Sequence, residues 1–204
     1  MIRGLYGMID LPGRGVPAGR LANWLLDGGA RVLQLRMKGA TAAAMLAVLD
    51  ELRPLCKRRE ALLIVNDRLD VALAGGAAGV HLGQDDLPLA AARRIVSPGF
   101  IIGVSTHNVA QAKEAQGADY IGFGPCFATA TKENPDPVVG LVELAKVCKL
   151  GVPVVAIGGI GLDRVQEVAR AGAAAAAIIA AVNGASDVTA AARTVSAAWG
   201  SPLV

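Results

Sequence analysis

With 204 residues, 53% of them hydrophobic and only 3% aromatic, the chain is long enough for one domain, 1–204, with a large core built from Ala, Val, Leu and Ile. A net charge of +3 without any basic tract argues against nucleic acid as a partner and leaves small anions open. Cys56, Cys126 and Cys148 show no CxxC spacing, MIRGLYGMID reaches Asp10 too soon for a signal peptide, and the alanine-rich run at 171–182 is too short to span a bilayer, which together predict reduced thiols in a cytoplasmic protein that does not enter a membrane.

In chain order, apolar runs of two kinds alternate. LYGMID (5–10), LLIVND (62–67), IIGVST (101–106) and PVVAIGG (153–159) end in a polar or glycine step, whereas GARVLQLR (29–36), GAAGVHLG (76–83), GADYIGFG (117–124) and GAAAAAII (172–179) open on Gly-Ala. An amphipathic stretch precedes each Gly-Ala run, and its glycine suits the position just past a helix end. Helices are expected at 17–28, 41–59, 68–75, 88–97, 108–116, 139–150, 162–171 and 187–198, giving a double unit that recurs roughly every 50 residues. Pro88 suits a first helical turn, and Lys57, Arg58 and Arg59 fall late in the second helix, where cations favour the dipole. Strands alternating with helices imply a parallel sheet. Eight such units predict an α/β fold, a single closed (β/α)8 TIM barrel. A doubly wound open sheet is the competitor, disfavoured by even spacing with no switch in pattern.

Chemistry in such barrels gathers at the C-terminal ends of the strands. Gln34, Arg36 and Lys38 alternate at the end of the second strand and so point to one side. Three long polar side chains facing a lumen need a ligand or an internal ion pair with Asp67 or Asp86, and the two readings weigh equally. The third and fourth runs break into Asn66-Asp67 and Gly83-Gln84-Asp85-Asp86. Neighbouring strands lie about 4.8 Å apart, so carboxylates at both ends can share one space suited to Mg2+, which takes one or two carboxylates plus substrate phosphates. The bland alternative is that each aspartate caps the next helix.

The loop FATATKENPDP (127–137) offers Thr129, Thr131 and Lys132 to a phosphate, or is a solvated surface loop. AIGG (156–159) and the Ile179-Ala180 turn end the last two strands, where barrels often bind phosphate through backbone N–H groups. His107, just past the fifth strand, reads as structural or as a helix-start residue, and His81 as packed core or outer face. No zinc spacing, GxSxG or GxGxxG element occurs.

As a set, QLRMK (34–38), VNDRLDVAL (65–73), GVHLGQDDL (79–87), IGVSTHN (102–108), DYIGFGPCFATATK (119–132) and VAIGGI (155–160) resemble the thiamine phosphate synthase family over essentially the whole chain. The resemblance implies a barrel that joins 4-amino-2-methyl-5-hydroxymethylpyrimidine diphosphate to 4-methyl-5-(2-phosphoethyl)thiazole, releasing diphosphate, with Mg2+ as cofactor. By that resemblance Gln34, Arg36, Lys38, Asn66, Ser105 and Lys132 match the pyrimidine-diphosphate site. Arg36, Lys38, Ser105 and Lys132 are the expected catalytic set, and Asp67 and Asp86 the Mg2+ ligands. Thr129, Thr131, Gly159, Ile179 and Ala180 match the thiazole-phosphate site. Two departures stand out: the family commonly has Glu at Met37 and Ser at Ala180. The expected partners are the two small-molecule substrates, with a homo-oligomer left open. A thiazole tautomerase using His107 without metal, and a non-catalytic thiamine-phosphate sensor, remain the competing readings.

Overall fold

The computed structural model describes residues 2–11, 15–129 and 137–200. Its strands are β1 (Gly4–Leu11), β2 (Val32–Met37), β3 (Leu62–Asn66), β4 (Gly79–Leu82), β5 (Ile101–Thr106), β6 (Tyr120–Phe123), β7 (Val154–Ile157) and β8 (Ala175–Ala177). Between and after them lie α1 (Ala18–Asp27), α2 (Ala42–Arg58), α3 (Leu69–Ala74), α4 (Leu89–Ile95), α5 (Val109–Glu114), α6 (Gly140–Cys148), α7 (Val165–Arg170), α8 (Ala180–Asn183) and α9 (Val188–Ala197). Each strand pairs in parallel with the next, and β8 pairs with β1. The sheet is therefore a closed barrel, and the open doubly wound alternative, which needs two free edges, is excluded.

Period-2 alternation sorts the strand side chains into two cores. Leu5 and Ile9, Leu33 and Leu35, and Leu63 and Val65 point outward and pack with the helices. Tyr6, Met8, Val32, Ile64, Tyr120 and Val155 point inward and fill the lumen. The helices supply the other half of the outer core from single faces. In α2 that face is Met45, Leu49, Leu52 and Cys56, the three-and-four spacing of an amphipathic helix. Burying each such aliphatic side chain contributes about 1.5–3 kcal/mol. Met37 packs against this outer cluster, as its position between Arg36 and Lys38 demands. Among the described residues no helix is long and apolar enough to cross a membrane.

Three of the four Gly-Ala glycines stop their helices in the left-handed region: Gly29 (φ 97°), Gly76 (φ 62°) and Gly172 (φ 100°). Gly117 reaches its strand without that conformation. The expected strand 172–179 is shorter than read, because β8 ends at Ala177 where its ladder with Tyr6 of β1 ends. Beyond that point the alanines, the best helix formers, enter the unpredicted short helix α8.

Candidate active site

All eight strands deliver their C-terminal ends to one rim, which surrounds a cavity of about 1080 Å3. Gln34, Arg36, Lys38, Asn66, Asp67, Asp86, Ser105, Thr129, Gly159, Ile179 and Ala180 all line it. Every expected site residue within the described segments thus shares one space. Thr131 and Lys132 lie outside the described residues.

On the β2 side, Gln34 is buried, Arg36 half-buried and Lys38 exposed at the lip. Arg36 makes an internal ion pair, but to Asp10, 2.5 Å away, and not to Asp67 or Asp86 as the ion-pair alternative had it. Parallel register sets Asp10 directly beside Arg36, which places an acceptor next to the guanidinium without any loop having to reach it. The Asp67–Asp86 carboxylates are left for each other.

Neither aspartate caps a helix. The capping positions of α3 and α4 are Arg68 and Pro88, and neither makes a side-chain cap bond. The Asp67 backbone N–H donates to the His81 carbonyl at 2.8 Å, and Asp67 adopts φ 65°. Left-handed backbone in a residue other than glycine is uncommon and concentrates at functional sites. Asp86 turns back to accept from the Gly83 N–H at 2.6 Å. Burial, then the charge of Asp86 and a hydrogen bond with it, push the Asp67 carboxyl up to about 6, against the weaker pull of Lys38 and Arg36. Two carboxyls so placed share a proton when no cation stands between them. Among the described residues no group of three or more His, Cys, Asp or Glu side chains gathers as a metal site. Two hard oxygen donors beside open space still fit Mg2+, which keeps waters and binds substrate phosphate.

The floor of the cavity holds residues that the sequence reading passed over. His81 faces the lumen and is buried, its Nε2 2.8 Å from Ser105 Oγ and its Nδ1 3.0 Å from the Tyr120 hydroxyl. Burial pulls its pKa down to about 4, with Asp86 opposing, so the ring is neutral. Tyr120 in turn meets Tyr6, hydroxyl to hydroxyl, at 2.7 Å. A Cβ on Gly103 would sit 2.1 Å from the Tyr120 ring, and one on Gly122 would sit 3.1 Å from the His81 ring. Glycine inside a strand marks such close approaches, and these two were the available signal. His107, also at the rim, brings its Nδ1 to 2.8 Å from the Gly124 carbonyl, while its backbone N–H donates to Gln111.

The β6–β8 side is built differently. Cys126 and Phe127 donate their backbone N–H groups to the carbonyls of Ile157 and Gly158, tying the loop after β6 to the end of β7. Gly159 stands at φ 65°, and a Cβ there would lie 2.3 Å from the Ala128 carbonyl oxygen. Only glycine fits both the backbone angle and that contact. The three cysteines form no disulfide, and burial pushes their thiols up, Cys56 and Cys148 to about 11 and Cys126 to about 12. None is a reactive thiolate.

Residues 17–182 match the family model described as thiamine monophosphate synthase. The chain is 48% identical over 198 residues to the thiamine-phosphate synthase of Anaeromyxobacter dehalogenans, covering 96% of this chain and 88% of that one. It is also 48% identical to the enzyme of the same description from Methanoculleus marisnigri, over 89% of this chain and 88% of the other. Among solved structures, thiamine phosphate pyrophosphorylase from Pyrococcus furiosus superposes with a TM-score of 0.87 at 38% identity, over 98% of this chain and 96% of that one.

Proposed function

This chain belongs to the thiamine monophosphate synthase family, and we propose that the mouth of its barrel joins a pyrimidine diphosphate to a thiazole phosphate. Thiamine-phosphate synthase, a transferase of thiamine biosynthesis, is the enzyme that the similarity identifies. The observation that carries the site assignment is the carboxyl pair Asp67–Asp86 facing Arg36 and Lys38 in one cavity. Opposed charge sets sharing one cavity suit a leaving group of several negative charges. The relatives reported above are described as thiamine-phosphate synthase or pyrophosphorylase, which favours this reading over the thiazole tautomerase and the sensor.

In this reading Gln34, Asn66 and Ser105 hold the aminopyrimidine at the cavity floor. Arg36, oriented by Asp10, and Lys38 face the diphosphate, joined by Lys132. Asp67 and Asp86 hold Mg2+, which when bound supplies positive charge against the departing diphosphate. Thr129, Thr131, Gly159 and the Ile179-Ala180 turn hold the thiazole phosphate. The C–O bond of the pyrimidine methylene breaks with its electron pair leaving on diphosphate, and the electron-rich ring supports the cationic carbon. The thiazole nitrogen lone pair then forms the new C–N bond. Electrostatic stabilisation of the leaving charge and alignment of the two substrates carry the rate. No step asks for a protein nucleophile, in keeping with three thiols held well above neutral pH. The same thiols fit a reducing, cytoplasmic setting.

Incubating the purified chain with both substrates and Mg2+ should yield thiamine phosphate and diphosphate in equal amounts. A folded chain that binds both substrates without releasing diphosphate would overturn this reading in favour of a sensor.

A further inference from the structure

The chain has two tyrosines and two histidines, and three of these four side chains form one hydrogen-bonded line across the lumen. Gln34 donates its amide N–H to the Tyr6 hydroxyl at 3.0 Å. Tyr6 meets Tyr120 at 2.7 Å, Tyr120 meets His81 Nδ1 at 3.0 Å, and His81 Nε2 meets Ser105 at 2.8 Å. Only the two ends, Gln34 and Ser105, are assigned above to substrate. The interior members have no such duty, yet burial of three polar rings is costly unless every proton finds an acceptor.

That accounting gives the line a direction. Tyr6 accepts from Gln34, so the Tyr6 proton goes to Tyr120, its other hydroxyl partner. The Tyr120 proton then goes to Nδ1 of His81. A ring that accepts at Nδ1 carries its proton on Nε2 and donates it to Ser105. Ser105, having accepted, turns its own proton into the cavity. Gln34, having donated, keeps its carbonyl as an acceptor. We propose that Tyr6, Tyr120 and His81 are positioning residues that set Ser105 as a hydrogen-bond donor and Gln34 as an acceptor, and so select the 4-amino pyrimidine over its 4-oxo, deaminated counterpart. The amino compound offers an N–H donor and a ring-nitrogen lone pair. The 4-oxo compound, in its lactam form, offers a carbonyl and a ring N–H, the reverse pattern. This rests on the pyrimidine assignment made above.

Two experiments test the inference separately from that assignment. In the folded, substrate-free protein, 15N NMR of the histidine side chains should show His81 protonated at Nε2 and bare at Nδ1. The Nδ1–H form overturns the proposal whatever the enzyme makes. In steady-state assays with the two pyrimidine diphosphates, the wild-type chain should prefer the amino compound by roughly a thousandfold or more, the scale of a site whose buried polar groups are left mispaired by the wrong substrate. Tyr120→Phe removes the proton that holds Nδ1 as acceptor, and that preference should fall roughly tenfold, with KM for the amino substrate rising. Tyr6→Phe leaves Tyr120 able to donate, and the preference should fall less. Equal loss of stability in both variants with unchanged selectivity would show the line to be structural only. If Tyr120→Phe does not fold, the tautomer measured in the wild-type protein decides the question.

Discussion

The two halves of the cavity mouth solve the same problem, holding anionic groups, with opposite materials. Around β2, β3 and β4 the rim is made of charged side chains, Arg36, Lys38, Asp67 and Asp86. Around β6, β7 and β8 it is mostly glycine, alanine and isoleucine, Gly124, Gly158, Gly159, Ile179 and Ala180 among them, with the Thr129 hydroxyl beside them. The charged half suits a group whose negative charge grows as a bond breaks. The backbone half suits a phosphate that is held and left unchanged, since N–H donors fixed by a folded turn position an anion at little entropic cost. The difference teaches that charge sits where charge must develop, and shape where only binding is required.

The largest expected effect breaks the charged half. Asp67→Asn should lower activity by about two to three orders of magnitude and raise the Mg2+ concentration for half-maximal rate. The metal-free protein should keep or gain thermal stability, because the substitution removes a carboxyl pushed up by burial and by the charge of Asp86. Were Asp67 a structural ion-pair partner, stability would instead fall by roughly 3–5 kcal/mol. Thermal melting without metal, paired with a Mg2+ titration of the rate, separates the two, and a destabilised variant with an unchanged Mg2+ requirement would sink the metal assignment.

Gly159→Ala attacks the backbone half. With the added Cβ 2.3 Å from the Ala128 carbonyl and φ at 65°, the turn must shift, at a cost of about 1–3 kcal/mol. KM for the thiazole phosphate should rise while that for the pyrimidine diphosphate stays within about twofold. Equal changes in both constants would mean that the two halves of the mouth do not divide the substrates.

A pH series sharpens the comparison without disturbing the chain much. Folding raises the Asp67 carboxyl from its ordinary 3.8 to about 6, so the folded metal-free protein holds that proton more tightly than the unfolded chain. The contribution is fully present below about pH 4 and is lost as pH rises through about 6. Melting temperatures of wild type and Asp67→Asn should therefore diverge as pH climbs from 4 to 7, the variant losing less. Saturating Mg2+ should close the gap by stabilising the wild type. Parallel curves would show that Asp67 does not titrate in this window.

The smallest effect adds a side-chain donor to the backbone-built half, at the turn after β8. Ala180→Ser should lower KM for the thiazole phosphate about fivefold, one hydrogen bond's worth, and leave the pyrimidine constant unchanged. Movement of the pyrimidine constant alone would mean that the halves are assigned the wrong way round.

Much of this site was legible from spacing. Strand alternation turned Gln34, Arg36 and Lys38 to one side and Met37 to the other, and the structure places Gln34 and Arg36 on the cavity and Met37 on the outer core. Asp67 and Asp86 were legible because consecutive parallel strands are neighbours, so adjacency in sequence became adjacency in space. Of the two readings of His81, packed core agrees with its burial and outer face does not; its place on the cavity was not legible, because a lone histidine inside an apolar run carries no periodic signal of its own. Its partner Tyr120 lies two strands onward, and Tyr6 lies at the far end of the chain.

By itself the sequence determined the eight-unit alternation, the rim on which chemistry sits, and the inward sense of Gln34, Arg36 and Lys38 with Met37 outward. All three follow from the 2.0-residue period of a strand and from the short connections between parallel neighbours. Only the tertiary structure decided which inward residues meet. Closure of β8 on β1 and the width of the lumen bring β1, β4, β5 and β6 within hydrogen-bond reach of one another. Thus the Tyr6–Tyr120–His81–Ser105 line formed, whereas Arg36 met Asp10 through the register of β1 and β2. Contacts across a lumen depend on the distance between strands that are far apart in sequence, and no local pattern encodes that distance.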